Sequence, residues 1–346
     1  MTAAMEFVKN IRVGISIGDT LDATDDALPK EASPEKFETA WHKPVIKKEL
    51  VDAILKTGFN LVRIPVSWRN HLGPVPEFQI EPSWLDRVQE VVDYAYKKGA
   101  YVILNLHHED WNYPYYDNEK AACEKMRAVW SQLAERFKDY DTRLIFEGQN
   151  EPRKVGTPLE WNGGDKEGWD VVNATNRAFV ETVRNCGGYN QERFLMIPGY
   201  GANCTVGIRH IELPDKDDRI IVSVHAYEPY EFALKIPGRN NWNRDTDAID
   251  TLMKNLKELY LEKGVPVIIG EFGAMNKENE EERKEWAEYY TKSAAEIGVP
   301  CVWWDNGLFE GEGERFGLFN RYDFSCAYPG VVRALMKGTE NTSESV

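Results

Sequence analysis

Residues 101–109 read YVILNLHHE, a short apolar run that ends abruptly in polar side chains. Similar runs recur along the chain and are separated by longer amphipathic stretches, a pattern typical of βαβ units in a parallel sheet. Eight of these runs are predicted strands. They cover residues 11–17, 61–66, 101–106, 144–146, 194–197, 220–225, 267–269 and 301–304.

The stretches between these strands have the periodicity of helices. Eight strands, each followed by a helix or a long connection, predict a single-domain α/β fold, the (β/α)8 TIM barrel. A doubly wound open sheet is the alternative, but the first strand leads into GDTLDA (residues 18–23) rather than a glycine-rich dinucleotide turn. We assign the barrel to residues 1–338 and a flexible tail to residues 339–346. The predicted helices cover residues 47–56, 84–98, 123–138, 171–186, 248–262 and 280–297.

The composition excludes several classes of function. The net charge of −15 argues against nucleic-acid binding, because a phosphate backbone requires a basic face. No apolar run approaches the roughly 18 residues of a membrane span, so we expect no membrane association. The five cysteines are scattered without metal-type spacing, and an odd number cannot all pair internally. We expect mostly free thiols, and a Cys186–Cys204 bridge stays open.

The candidate functional residues follow the predicted strands, because the chemistry of this barrel lies at the carboxyl ends of its strands. Glu151 and Glu271 follow the fourth and seventh strands, three βα units apart, and are therefore expected to share one barrel mouth. The other polar or aromatic residues at strand ends are Arg63, His107, His108, Asn150, His225, Tyr227 and Trp304.

Two facing carboxylates suit the cleavage of a glycosidic bond, which needs one acid and one anion. Arg63, if it lies beneath Glu271, would lower the pKa of that carboxyl and keep it ionised as the nucleophile. The charge of Glu271 would raise the pKa of Glu151 and keep it protonated as the acid. Once Glu271 becomes a neutral ester, Glu151 could act as the base.

These residues lie in segments that resemble the motifs of glycoside hydrolase family 5, the cellulase family. Residues 145–152 (IFEGQNEP) resemble its acid/base motif, and residues 267–273 (VIIGEFG) resemble its nucleophile motif. Further matching blocks at 58–68, 102–109, 222–232 and 301–307 extend the resemblance over essentially the whole chain. The sequence around residues 156–164 and 225–232 is most similar to bacterial and anaerobic-fungal endoglucanases with xyloglucanase-like relatives.

The resemblance implies endo-acting, retaining hydrolysis of β-1,4-glucosidic bonds in cellulose-type glucans. Carboxymethylcellulose, mixed-linkage β-glucan and xyloglucan are the candidate substrates. It also implies a 2-hydroxyl contact from Asn150, sugar contacts from His107 and His225, and stacking by Trp304. Arg63 and Tyr227 would bracket Glu271. Among the tryptophans in loops, Trp41, Trp111, Trp161 and Trp242 are candidates for lining the cleft, and we select Trp41 and Trp161.

Two positions depart from the family pattern. Asp19 stands where the family has an asparagine, and WHKP (residues 41–44) replaces Trp-Gly-Asn-Pro. Both lie near the expected subsites on the non-reducing side, so the sugar preference there stays open.

Several alternatives remain. The substrate could instead be xyloglucan or mannan, and a catalytically silent sugar-binding barrel is the non-enzymatic reading. His107 and His108 could suggest a metal pair, but neighbours on a strand point to opposite faces, so we predict no metal and no cofactor. We expect a secreted monomer, or one module of a longer chain, acting on extracellular β-glucan. Residues 1–10 lack the features of a signal peptide.

Overall fold

The computed structural model describes residues 2–214 and 216–340. Within them, parallel strands pair in chain order from first to eighth, and the first pairs with the last to close a barrel. The predicted (β/α)8 fold is therefore confirmed. The strands are β1 (Val13–Ile17), β2 (Leu61–Ile64), β3 (Tyr101–Asn105), β4 (Leu144–Glu147), β5 (Leu195–Asn203), β6 (Ile220–His225), β7 (Val267–Phe272) and β8 (Cys301–Asp305).

Helices cover the outside of the barrel, and all six predicted helices are present. Two of them begin a full turn or more earlier than predicted: the helix predicted from residue 171 starts after the N-cap Asp165, whose side chain accepts from Gly168 N, and the helix predicted from residue 123 starts at Tyr116. The helices are α1 (Ala3–Val8), α2 (Pro34–Glu38), α3 (Lys48–Lys56), α4 (Pro82–Tyr96), α5 (Tyr116–Arg136), α6 (Lys166–Asn185), α7 (Tyr230–Ala233), α8 (Asp247–Leu259), α9 (Glu280–Glu296) and α10 (Pro329–Gly338).

The core has two parts because successive strand residues point to opposite faces. One set of side chains packs between the barrel and its helices, as Val62 and Val102 do. The other set fills the inside of the barrel, where Leu61 and Ile103 form one cluster with α1. The ring of Phe7 on α1 stacks on Phe194 with centroids 3.8 Å apart. Helix α1 therefore plugs one end of the barrel, and the other end is left for the site.

Two strands extend beyond their predicted ends at irregularities in the sheet. The register of β7 shifts against β6 after Val224 and against β8 after Ile269. A bulge of this kind re-aims the side chains that follow it. Strand β7 therefore runs on to Phe272, and β5, which shifts between Pro198 and Asn203, runs on to Asn203.

The end of the described chain packs against the barrel. Helix α10 ends at Gly338, where the barrel was predicted to end, and Thr339 is buried behind it. Residues 341–346 of the predicted tail lie outside the described residues. All five cysteines are free, as expected. Across the two described ranges, every helix is too short or too polar to cross a bilayer.

Candidate active site

The guanidinium of Arg63 lies at the floor of the open end of the barrel. It is fully buried and donates to three acceptors in the two glutamate motifs: Nε to Glu147 Oε2 at 2.8 Å, Nη1 to Glu271 Oε1 at 2.8 Å, and Nη2 to Asn150 Oδ1 at 2.6 Å. A rigid planar fork suits such a site, because each of its donors has a fixed direction. The structure thus brings Arg63, Asn150 and Glu271 together.

Glu147 is part of this network and was not among the predicted site residues. Its carboxylate is fully buried and accepts from Ser223 Oγ at 2.6 Å and from Asn105 Nδ2 at 3.1 Å, in addition to Arg63. The sequence did carry a signal for it. Glu147 directly follows the predicted strand 144–146, so the rule that selected polar residues at strand ends applies to it as well.

Glu271 is oriented by two donors. Arg63 binds Oε1, and the hydroxyl of Tyr227 donates to Oε2 at 3.0 Å. The position depends on the bulge in β7, where Gly270 lies so close to its neighbours that an added Cβ would be 2.9 Å from Ser223 Oγ. Each oxygen of the Glu271 carboxylate is therefore held in a fixed direction.

Glu151 lies just beyond the end of β4 and faces Glu271 across the mouth of the barrel. His225 Nδ1 lies 2.7 Å from Glu151 Oε1 and 3.6 Å from Glu271 Oε2, so one imidazole touches both carboxyl groups. A carboxylate oxygen of Glu151, one of Glu271 and a nitrogen of His225 all lie within 4.8 Å of one another. Arg153 Nη1 approaches Glu151 Oε2 to 3.5 Å.

In the resting site, the pKa shifts of the two glutamates differ in direction from the prediction. Burial raises the pKa of Glu151, but the hydrogen bond and charge of His225, with Arg153, outweigh it and lower that pKa. Burial raises the pKa of Glu271 despite the opposing charges of His225 and Arg63. The predicted directions for the two glutamates are therefore wrong in the resting site. For Glu271 the reason is burial, and for Glu151 it is His225, whose own pKa is raised because the two carboxylates outweigh the effect of its burial.

His107 and His108 lie side by side, so the prediction that they face opposite sides is wrong. Strand alternation does not apply to them, because β3 ends at Asn105. Their rings are 4.5 Å apart, and the ring of His107 is parallel to Trp304 with centroids 5.5 Å apart. Burial lowers the pKa of His107 well below its usual range and lowers the pKa of His108 to about 4. Both imidazoles are neutral at pH 7.

Known proteins resemble this chain closely in sequence. The family model Cellulase (glycosyl hydrolase family 5) matches residues 24–310. The chain belongs to this family. It is a glycoside hydrolase of the endo-β-1,4-glucanase class, as predicted from the sequence. Endoglucanase B of Neocallimastix patriciarum is 48% identical over 343 residues, which cover 98% of this chain and 72% of the relative. Endoglucanase 1 of Ruminococcus albus is 44% identical over 348 residues, covering 100% and 84%.

Solved structures of family 5 enzymes share the fold closely. A broad-specificity endoglucanase from Ruminococcus champanellensis with bound cellotriose has a TM-score of 0.94 and 42% identity, covering 97% of this chain and 99% of that one. A xyloglucan-specific endo-β-1,4-glucanase from a metagenomic library has a TM-score of 0.92 and 41% identity, covering 96% and 98%.

Two clusters in this family 5 site could be taken for metal sites. Asp22 lies with His107 and His108, and Glu151 lies with His225 and Glu271, each set within 4.8 Å. The carboxylate oxygens of Asp22 already accept from the backbone amides of Asp19 and Thr20, at 3.1 and 2.8 Å. Both oxygens of Glu271 are likewise bound. The carboxylate oxygens of Asp22 and Glu271 are therefore already bound within the protein, and the absence of a metal stays a prediction.

The tryptophans divide between the cleft and the core. Trp41 faces the ring of His108 at 5.4 Å and lines a cleft of about 280 Å³ together with Glu151 and Arg153. Trp161 is 59% exposed on the loop after β4. Trp242 is only 2% exposed and donates to Asp245 O, so its candidacy for the cleft is wrong. Trp111 is partly buried, with its indole bound to Glu109.

The two departures from the family pattern act on each other. Asp19 follows Gly18, which packs against the ring of Trp304, and it has a φ of 59°. Burial raises the pKa of Asp19 to about 6, although the charges of Lys43 and Arg321 oppose the rise. Burial also lowers the pKa of Lys43, and the charge of Asp19 opposes that change. The two departures therefore place an acid, Asp19, and a base, Lys43, close enough to interact.

Glu314 is a further carboxyl group near the site that the sequence did not single out. Burial raises its pKa to about 7, and the charges of Glu271, Glu151 and Asp19 add to the rise. It lies in the loop that follows β8, beyond the matching block at 301–307, so neither a strand end nor a motif pointed to it.

Proposed function

We propose that this family 5 enzyme hydrolyses internal β-1,4-glucosidic bonds with retention of anomeric configuration, using Glu271 as nucleophile and Glu151 as acid/base. The separation of the two carboxylates carries the proposal. Retaining glycosidases hold them about 5 Å apart, whereas inverting enzymes need roughly 6.5–9.5 Å to fit a water molecule. The 4.8 Å limit on the closest oxygens here favours direct attack.

The hydrogen bonds support the assignment of roles. Glu271 accepts from Arg63 and Tyr227, and both bonds favour its ionised form and fix the attacking oxygen. The Glu151 carboxyl group has one hydrogen-bond partner, His225, with Arg153 more distant at 3.5 Å, and otherwise faces the cleft. A carboxyl group with one open side can reach the leaving oxygen of a substrate, whereas a carboxylate bound on both oxygens is better suited to attack from a fixed position.

His225 supplies a physical account of the proton. Glu151 Oε1 and His225 Nδ1 are close enough to share one proton. Glu151 passes that proton to the leaving oxygen as Glu271 Oε bonds to the anomeric carbon and the glycosidic bond breaks. Glu271 is then an uncharged ester, so the proton affinity of Glu151 falls and it can act as the base that deprotonates water. The water attacks the anomeric carbon, and the bond between that carbon and the Glu271 oxygen breaks, which releases the sugar and regenerates the Glu271 carboxylate.

The relatives support the choice of substrate. We propose a broad preference for soluble β-1,4-linked glucans, including mixed-linkage glucan, with xyloglucan as the alternative because a xyloglucan-specific relative is 41% identical. Contact residues would be Asn150, His107, His225, Trp304, Asp19, Trp41 and Trp161. Since polymeric glucans lie outside cells, we propose that the enzyme acts there, as a monomer.

Proton NMR during hydrolysis of cellotetraose tests the mechanism. The β-anomer of the new reducing end should appear first, and initial formation of the α-anomer would contradict retention. A 2-fluoro-cellobioside with a dinitrophenyl leaving group should then trap the nucleophile, and peptide mapping should place the label on Glu271. A label on Glu151 would reverse the assigned roles.

A further inference from the structure

Arg153 joins the catalytic acid to an exposed aromatic ring. Its guanidinium lies 4.0 Å from the ring centre of Trp161. Nη1 donates to the main-chain oxygen of Glu151 at 3.0 Å and lies 3.5 Å from Glu151 Oε2, while Nε donates to Glu160 Oε1 at 3.2 Å. One side chain therefore contacts both the acid and the tryptophan, two features of the site that the proposed function uses separately.

The loop that carries Trp161 is firmly anchored. Lys154 Nζ donates to Asp165 and Glu167 at 2.8 and 2.6 Å. The hydroxyl of Tyr200 accepts from Lys154 N and donates to Leu159 O. Because the backbone is held on both sides, the large exposure of Trp161 does not come from a loose loop. The guanidinium covers one face of the indole and leaves the rest of the ring accessible, as a sugar-stacking platform requires.

The position of this ring assigns it to one side of the scissile bond. Trp304 lies near the end of β8 and Asp19 follows β1, and these two strands are neighbours in the barrel. Trp161 lies on the loop after β4, on the far side of the ring of strands, and on the same loop as Glu151. The acid protonates the oxygen of the leaving sugar. The platform beside that acid therefore faces the leaving-group portion of the chain.

We propose that Arg153 is a positioning residue that holds Trp161 in place for the leaving-group sugar and at the same time sets the charge environment of Glu151. This proposal rests on the proposed function, because it requires Glu151 to be the acid. Binding of the leaving sugar and its protonation would then depend on one side chain.

The charges around Glu151 support this coupling. Arg153 is among the groups that hold the pKa of Glu151 down, after the opposing effect of burial and the contributions of His225. Removing the guanidinium charge should therefore raise that pKa. The titratable and charged groups that face Glu151 from neighbouring elements are His225, Glu271, His108, Tyr227 and Glu314.

Four variants separate the effect of Arg153 on the position of Trp161 from its effect on the charge environment of Glu151. Arg153→Gln removes the charge, Arg153→Lys keeps it but loses the planar stack, and Trp161→Ala removes only the platform. Arg143→Gln is the matched control, because Arg143 also pairs with a carboxylate and stacks on a tyrosine, Tyr96, but lies before β4 at the opposite end of the barrel. Each variant is assayed across pH on cellopentaose and on 2,4-dinitrophenyl cellobioside, whose leaving group needs neither protonation nor a sugar platform.

On cellopentaose, Arg153→Gln should move the basic limb of kcat/KM upward by roughly half to one pH unit. It should also raise KM several-fold. Arg153→Lys and Trp161→Ala should raise KM without moving the limb, and Arg143→Gln should do neither. For 2,4-dinitrophenyl cellobioside, kcat/KM reports only the first step, which needs neither the acid nor the platform, so it should change little in all four variants.

Three outcomes would overturn the proposal: an unmoved basic limb in Arg153→Gln, an equal shift in Arg143→Gln, or an unchanged KM in both Trp161→Ala and Arg153→Lys. If Arg153→Gln does not fold by circular dichroism, the KM comparison of the other two variants decides. Failure of the proposed function would look different, because the unmodified enzyme would then release the α-anomer first or carry the 2-fluoro-cellobioside label on Glu151.

Discussion

Arg63 lies between two buried carboxylates below the cleft, and its single positive charge forms an ion pair with each of them. Removing one member of a buried ion pair is strongly destabilising, because an uncompensated charge is left behind. The fork of Arg63 therefore explains why Glu147 and Glu271 can both lie at the floor of the site. It also explains why substitutions in this network report on stability as well as on catalysis.

Asp19 gives a prediction about one residue. The pKa of Asp19 is about 6 in the folded chain against an ordinary 3.8, so the folded state binds the proton more tightly than the unfolded state does. Its contribution to stability is present at low pH and is lost as the pH rises from about 4 to about 6. Asp19→Asn avoids this loss, and asparagine tolerates the positive φ. The variant should have a higher Tm than the parent at pH 8 and a similar Tm at pH 4.

The same variant should change the pH profile of glucan binding. If Asp19 contacts sugar, the pH dependence of kcat/KM near pH 6 should weaken in Asp19→Asn while kcat changes little. Asp139→Asn, at an exposed position, is the control. Identical melting and kinetic profiles for Asp19→Asn and the parent would show that Asp19 titrates outside this range.

The irregular end of β7 shows what one element contributes. The shift in register after Ile269 places Glu271 opposite His225 on β6. If the pairing had stayed regular, Glu271 would not lie opposite His225, because side chains alternate between the two faces along a strand. The bulge has room only for glycine at residue 270, where Ser223 Oγ, Glu147 Oε1 and His225 Nε2 all crowd the missing Cβ.

Gly270→Ala should therefore displace the carboxylate network without preventing folding. A shift of about 1 Å in a catalytic group can reduce kcat by roughly 10²-fold, and we expect a loss of that order. Steady-state kinetics with circular dichroism measure it. Gly187→Ala is the control, since no atom lies within 4 Å of its added Cβ and its φ of −74° suits alanine. Equal activity in the two variants would show that the bulge is not what positions Glu271.

The whole molecule carries a net charge of −15, which bears on its polymeric substrates. An acidic protein repels an anionic chain, and this repulsion is screened over about 8 Å at physiological ionic strength. On carboxymethylcellulose, kcat/KM should rise several-fold between about 0.01 M and about 0.15 M salt. On neutral mixed-linkage β-glucan it should stay constant. A parallel rise on both polymers would point to a salt effect on the enzyme itself.

For the molecule as a whole, the fold was largely predictable from the sequence, and the site was predictable in part. The eight strands and six of the helices follow from local periodicity, because a buried strand must be apolar along its length whatever it packs against. Short helices such as α1 carry too few residues for a periodic signal, so the plug at the end of the barrel was missed. Glu151, Glu271 and Arg63 were found because strand ends in this barrel meet at one mouth.

What the amino-acid sequence determined by itself is the family, the barrel and the pair of glutamates, since these depend on patterns that neighbouring residues carry. Only the tertiary structure decided the direction in which the pKa of each glutamate is shifted, the side-by-side arrangement of His107 and His108, and the contacts of Arg153 with Glu151 and Trp161. A pKa depends on burial and on charges brought close from distant strands. His225 lies 74 residues from Glu151 in the chain and 2.7 Å from it in the fold.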